Sequence, residues 1–295
     1  MNLTQLNYFK TVCTFRSVSA AAEHLYISQP SLSNAIKELE KEFGVALFKR
    51  HHHGMELTPE GAELLKLSTN LLNHASNLQR TMNDLGEKRK ILRLGIPPMI
   101  SSLLLPYIYN DFLPAHPEIQ LDITEGGRQE LADKLSDDFL DMVFLPHNQP
   151  FEKSFECMPI TKLETVCCAF KDNPVSKYSS VTPVNLKDIP IVLFKNSFFH
   201  AEEIKKWFAT SGIEPEVLLQ TDQLSTLQNV IANNIATGFL FRQLIEPDSN
   251  LVPIPMESPI QVNISLVWKK NSCFLSSMSL FREYIKIKNP FKFQA

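Results

Sequence analysis

Hydrophobic positions follow three successive regimes along this chain. In the opening segment Leu6, Phe9, Val12 and Cys13 recur at helical spacing, which predicts an amphipathic helix with one core-facing stripe. A short second helix follows through residues 17–25, where Ala20, Ala21 and Ala22 favour helix and let a neighbour approach closely. Ser28 is a good N-cap for a third helix over residues 29–43, and Pro30 falls in its first turn, where a missing N–H costs little. There Leu32, Ile36, Leu39 and Phe43 share one face and Pro30, Ser31, Asn34, Lys37 and Lys41 point away. The stretch LFKRHHHGMELT, residues 47–58, then reads as a hairpin with a His-Gly turn and with Lys49 and Arg50 on its first strand.

The second regime is a seven-residue repeat. Thr58 before Pro59 signals a helix start, and no further proline occurs before residue 90. Leu64, Leu71, Leu78 and Leu85 recur every seven residues, with Ser68, Ala75 and Met82 at the intervening seam positions. A long helix with so narrow an apolar stripe predicts pairing with its twin in a homodimer. From Ile91 the third regime alternates short apolar runs with helical stretches: ILRLGIP, SSLLLPYIYNDF, QLDITEGG, QELADKLSDD and DMVFLP, and again from PIVLFK to ATGFLF. That alternation predicts an α/β domain with a parallel sheet.

The third helix carries the chemistry of the first regime. Hydroxyls and amides near a helix N-terminus can meet base edges and phosphates, which selects Gln29, Ser31, Ser33 and Asn34. Gln29 and Asn34 have the amide geometry that reads adenine, and the Pro30 ring suits a thymine methyl. Lys37 and, on the hairpin, Arg50 add positive charge for the DNA backbone. An ordinary three-helix bundle with a solvated face has the same periodicity, and the cationic hairpin tips the reading toward a winged helix-turn-helix that binds double-stranded promoter DNA.

Charge changes this picture little. The net charge is −3 over 295 residues, distributed as +2 over residues 1–90 and −5 over the remainder. The winged module is therefore only weakly basic, and the residue pattern carries the argument. The opening MNLTQLNYFK already alternates polar and apolar residues, no run is long enough to span a bilayer, and five cysteines form no C-x-x-C pair. These features predict a cytoplasmic protein without a membrane partner, and the strand-like setting of Cys167 and Cys168 in ETVCCAF, rather than an exposed loop, argues against a redox pair with Cys157. No nucleophile elbow, phosphate-binding loop, dinucleotide fingerprint or H-E-x-x-H motif occurs, and nine glycines leave little room for cofactor loops. The reading is of a non-enzyme with neither cofactor nor metal. A free solute-binding protein is the alternative for the C-terminal domain taken alone.

The segments LNYFKTV, SVSAAAEHLYISQPSLSNAIKELEKEFGVALFKR and LTPEG resemble the DNA-binding domain of LysR-type transcription regulators. That resemblance implies a recognition helix over residues 29–43 and a wing beside the neighbouring minor groove. The C-terminal part resembles the effector domain of the same family through RLGIPP, the Pro114–Pro117 turn, DMVFL and ATGFLF. It implies two α/β lobes similar to those of periplasmic binding proteins and joined by two crossing strands. On this analogy residues 1–58 form the winged helix-turn-helix, 59–90 the dimerising linker helix, and 91–295 the effector domain. Its first lobe takes about 91–160 and 268–295, and its second about 161–267. The family further implies an activator, assembled as a homodimer and then a homotetramer, whose arrangement a small-molecule effector shifts.

Ligands in open α/β sheets bind beyond the carboxyl ends of strands, near helix N-termini. That rule selects Ser101 and Ser102 after the first strand, Thr124, Gly126, Gly127 and Arg128 after the second, the stretch from Lys195 to His200, and Thr221 with Asp222. Taken singly, the serines and threonines are equally well explained as helix caps. Phe198 and Phe199 supply an apolar wall and Lys195 or Arg128 a cation, which suits an organic or aromatic acid.

The sequence departs from the family in His51, His52 and His53, where arginines are more usual. Neighbouring strand residues point to alternate faces, so these imidazoles do not form a metal cluster. They instead leave the wing weakly charged at neutral pH and cationic in acid. Operator affinity is therefore expected to rise as the pH falls toward roughly 6, and this rise is expected to disappear when all three histidines are replaced by Gln. A gel-shift titration across pH checks it, and pH-independent binding by the native protein refutes it.

Overall fold

Side-chain caps set where the first helices begin and end. In this computed structural model, which describes residues 1–51, 54–85, 90–270 and 275–288, α1 (Leu3–Phe15) opens at a capping box between Asn2 and Gln5. Ser17 caps α2 (Val18–His24) and Ser28 caps α3 (Gln29–Phe43), which ends at Gly44 in the left-handed region. Leu6, Phe9, Val12, Ala21, Ala22, Leu32, Ile36 and Leu39 are buried together, as the spacing predicts. Phe43 is not on that buried face. It is 40% exposed, and Ala35 is buried in its helix instead, because the chain turns away at Gly44 before another element covers the last turn.

The wing is the antiparallel pair β1 (Phe48–His51) and β2 (Gly54–Leu57), with Phe48 opposite Leu57 and His51 opposite Gly54. His52 and His53 lie outside the described residues. The Met55 N–H reaches back to the Arg16 carbonyl at the end of α1. Helix α4 (Pro59–Leu85) begins where Thr58 Oγ1 accepts the Gly61 N–H at 2.9 Å and donates to the Ala46 carbonyl at 2.7 Å. A Cβ on Gly61 would lie 2.1 Å from the Leu47 carbonyl oxygen, so only glycine lets the helix start this close to the wing.

The chain forms two compact units, Met1–Met82 and Asn83–Ala295. The second runs β3 (Lys90–Ile96), α5 (Pro98–Tyr107), a π-helical turn (Ile108–Phe112), α6 (Leu113–Ala115), β4 (Ile119–Glu125), α7 (Arg128–Ser136), β5 (Met142–His147) and β6 (Phe155–Phe170). It continues as β7 (Ile191–Phe194), α8 (Phe199–Ala209), β8 (Val217–Thr221), α9 (Leu224–Ala232), β9 (Thr237–Phe241), β10 (Leu251–Ile254), β11 (Ile260–Lys269) and α10 (Ser276–Lys288). Among the described residues these strands make one nine-stranded sheet in the order β4-β3-β5-β11-β6-β9-β7-β8, with β10 also on β6.

The sheet is mixed rather than parallel throughout. Pairs β3–β4, β3–β5, β7–β8 and β7–β9 are parallel, whereas β11 runs antiparallel to β5 and β6, and β6 antiparallel to β9. The two long strands β6 and β11 thus pass from one α/β half to the other. Their register slips where Ile264 faces Thr161 and Ser265 faces Pro159, which leaves Ile160 as a bulge. A proline is tolerated there because a bulge interrupts the ladder. No described helix is long and apolar enough to cross a membrane.

A buried ion pair ties the first half together. Asp141 accepts the Arg93 backbone N–H at 2.8 Å and its Nη2 at 2.8 Å, and the Asp141 N–H returns to the Arg93 carbonyl. Removing one partner strands the other charge, so Asp141→Ala is expected to destabilise this unit by about 3 kcal/mol in urea unfolding. A loss near zero would show that the pair adds nothing to the fold.

Candidate functional site

The outward face of α3 is made by exclusion: Leu32, Ala35, Ile36 and Leu39 are taken up by the core, and most of the remaining side chains meet solvent. Gln29, Pro30, Ser31, Asn34 and Lys37 are exposed along it, and Lys41 continues the row. Gln29 Oε1 accepts from Ser19 Oγ at 3.1 Å, and Ser31 is bonded through its N–H and hydroxyl to Ser28. Asn34 makes a long contact to Glu38 at 3.4 Å. The amides are thus placed by weak local bonds that a base edge can replace. Ser33 differs from the others. It is half-buried beside Val18, Phe48 and Met55, in a recess between α3 and the wing, so it sits behind the exposed row. Arg50 lies in β1, and its side chain is outside the described residues.

On α4 the open apolar stripe differs from a strict heptad. Leu71, Leu78 and Met82 are exposed at 43%, 66% and 60%, Ala75 lies half-buried between them, and Leu67 joins the stripe at 58%. Leu64 packs instead on the winged-helix core and Ser68 is buried. An α-helix of 3.6 residues per turn drifts about 20° per heptad, so the first positions of a strict seven-residue repeat rotate away from the later ones. The Leu85 side chain is outside the described residues.

In the second unit, the starts of α5, α7 and α8 converge on a cleft between the halves. An apolar recess is lined on one side by Pro97, Pro98, Met99, Ile100, Arg128 and Pro146. Phe194, Phe198, Phe199, His200 and Phe241 line the other. Pro98 and Phe198 also border a wider polar mouth containing Glu125, Gly126, Glu130, Lys195, Ser197, Asp222 and Gln223. At the rim Gly127 approaches the opposite half so closely that a Cβ would lie 2.4 Å from the Ser197 carbonyl oxygen.

Of the residues the strand-end rule selects, Gly126, Gly127, Arg128, Lys195, Phe198, Phe199 and Asp222 lie around this cleft. Lys195 does not stand ready for an anion: its Nζ is bonded to the Asp222 carboxylate, which that bond holds below its usual pKa. Arg128 lies 5.3 Å above the Phe199 ring and makes no ion pair among the described residues. Ser101 and Ser102 do not line the cleft. Ser101 is buried, with its hydroxyl taken up by the Pro98 carbonyl and the Glu125 carboxylate, and Ser102 faces solvent. The reason lies in Pro97 and Pro98, which occupy the helix start themselves and lack N–H groups. Thr124 sits within β4 opposite Gly95, and the Thr221 hydroxyl accepts the Gln223 N–H as a local cap.

His200 falls inside the stretch the strand-end rule selects but receives no role from it. Its imidazole is buried against Phe241, with 5.5 Å between ring centroids, and burial pushes its pKa down to about 4. Nε2 has no hydrogen-bond partner. A lone histidine in an apolar helix gives no sequence signal that distinguishes this from a satisfied core residue. Among the described residues no cysteines are paired: Cys167 and Cys168 are buried, burial raises both thiol pKa values, and Cys157 is exposed on the same strand. Among the described residues no three His, Cys, Asp or Glu side chains are grouped to hold a metal ion.

Residues 3–62 match the model of the bacterial regulatory helix-turn-helix protein, lysR family, and residues 85–288 match the LysR substrate binding domain. The HTH-type transcriptional regulator YwbI of Bacillus subtilis is 27% identical over 97% of this chain and 96% of its own length. Among solved structures, CbnR, a LysR family transcriptional regulator, superposes with a TM-score of 0.73 at 20% identity over 98% of this chain and 99% of its own. Full-length CbnR complexed with its target DNA gives the same TM-score. HinK from Pseudomonas aeruginosa gives 0.58 at 23% identity over 98% of each chain. A helix-turn-helix with its polar face free, joined to a two-lobed α/β domain with a cleft, accords with these matches, and the chain belongs to the LysR family of DNA-binding transcriptional regulators.

Proposed function

We propose that this regulator binds its operator as a homodimer joined through α4 and that a small organic acid in the interlobe cleft sets which arrangement of the dimer prevails. The exposed row on α3 carries the DNA part of this reading: Gln29, Asn34 and Pro30 face base edges, while Ser31, Lys37 and the Arg50 strand face phosphates. With a charge of only +2 over residues 1–90, one such module has little electrostatic hold on DNA. Two linked modules on neighbouring half-sites combine their binding free energies, so their affinities multiply through the effective concentration of the second. The Leu67–Met82 stripe supports α4 as the joint, since four large apolar side chains in a row lie open to water.

In the cleft, Arg128 takes the carboxylate, because Lys195 is already offset by Asp222. The first N–H groups of α7 and α8, which have no acceptor within their helices, add to that attraction. A ligand that touches both halves favours their closed arrangement by its differential affinity, and this is the quantity transmitted to the dimer. Gly127 permits that closure, since any side chain there meets the Ser197 carbonyl.

Two outcomes check this reading. Replacing Leu71 and Leu78 together by Lys is expected to yield monomers in analytical ultracentrifugation and to weaken operator binding at least about 100-fold, with the second unit still folded. Dimers that persist would remove α4 as the joint. Gly127→Ala is expected to leave operator binding in the absence of effector intact while abolishing its response to effector, seen as a footprint that no longer changes. A normal response would show that closure does not pass through this contact.

A further inference from the structure

We propose that the apolar recess selects an aromatic monocarboxylic acid bearing a ring hydroxyl, with the carboxylate on Arg128 and the hydroxyl on His200. This inference rests on the cleft being the effector site and names what the site reads.

His200 is the second residue of α8 and only 6% exposed, yet it lines the recess. Neither ring nitrogen has a hydrogen-bond partner among the described residues, and Nε2 is fully enclosed. Buried polar atoms in native proteins are nearly always paired, and an exception points to a group supplied from outside the chain. The ring is held by packing, at 77° to Phe241, so it is oriented without spending either nitrogen. Burial keeps it neutral, with one donor and one acceptor nitrogen. A hydroxyl, which donates and accepts, satisfies either tautomer, whereas a carboxylate suits only a donor and gains more from a guanidinium.

The remaining walls fix the rest of the ligand. Phe194 and Phe198 lie 5.1 Å apart between centroids, and Phe199 and Phe241 complete an aromatic lining that suits a flat ring. Opposite them Pro97 and Pro98 present apolar rings at a helix start that has lost two N–H groups, so the anion is left to Arg128. At the mouth, the carboxylates of Glu125, Glu130 and Asp222 outnumber the one ammonium of Lys195, which disfavours a ligand with a second negative charge.

The test is calorimetric titration of the full-length protein with benzoate, the three hydroxybenzoate isomers and terephthalate. The best hydroxybenzoate is expected to bind at least about 10-fold more tightly than benzoate, and terephthalate more weakly than either. His200→Phe is expected to abolish the preference while keeping benzoate binding, and His200→Gln, which retains a donor and an acceptor, to preserve part of it. Arg128→Gln is expected to weaken all the acids. Because the comparison between acids is made first on the native protein, a His200 variant that fails to fold does not obscure it. If no acid binds, the effector reading and this inference fall together. If benzoate binds as well as every hydroxybenzoate, or if the preference survives His200→Phe, the role of His200 falls and the acid-binding cleft stands.

Discussion

The antiparallel pairing of β6 and β11 is the contact on which the second unit is built. Each strand is long enough to belong to both α/β halves, so the sheet runs without a break from β4 at one edge to β8 at the other. The parallel units β3–α5–β4 and β7–α8–β8 lie on either side of this pair, which places the starts of α5 and α8 on facing sides of one cleft. The bulge at Ile160 falls near the middle of this pair, where a local break in the ladder bends the strands most easily.

The two halves then meet at points with different chemistry. Gly127 against Ser197 is a steric stop, close enough that hydrogen is the only substituent the gap accepts. Asn148 bonds Glu203 at 2.9 Å as a second point of approach between residues of the two halves. Between these lies the recess, where aromatic rings exclude water and thereby strengthen whatever polar contact a ligand makes with Arg128 or His200. The same dry surroundings keep His200 uncharged across the physiological range, so its contribution is a directed hydrogen bond rather than a charge.

The DNA-binding unit works under another constraint, a shortage of charge. Lys37 and Lys41 on α3 alternate with Glu38, Glu40 and Glu42, so the helix cannot rely on long-range attraction. Contact geometry must supply what charge does not, and that geometry is set by Ser28, which caps α3, and by the Thr58 and Gly61 arrangement that presses the wing base onto α4. The proposed pairing through α4 has the same logic: it multiplies a weak contact instead of strengthening it.

Local signals in the sequence determined the winged helix, the long helix and the strand-helix alternation, because caps, helical spacing and short apolar runs act within a few residues of themselves. Ser28, Pro30, Thr58 and the core stripe of α1 behave as their neighbours dictate. The strand-end rule also reached much of the cleft, since Gly126, Gly127, Arg128, Phe198 and Phe199 follow strands directly. What depended on distant chain segments was legible only in three dimensions. Ser101 turned inward because Pro97 and Pro98 hold the helix start, Lys195 was neutralised by Asp222 from another strand end, and Leu64 was claimed by the winged-helix core. The antiparallel course of β6 and β11 and the unpaired imidazole of His200 belong to the same class. Whether a polar atom finds a partner is settled by what packs around it, and no periodicity along the chain records that.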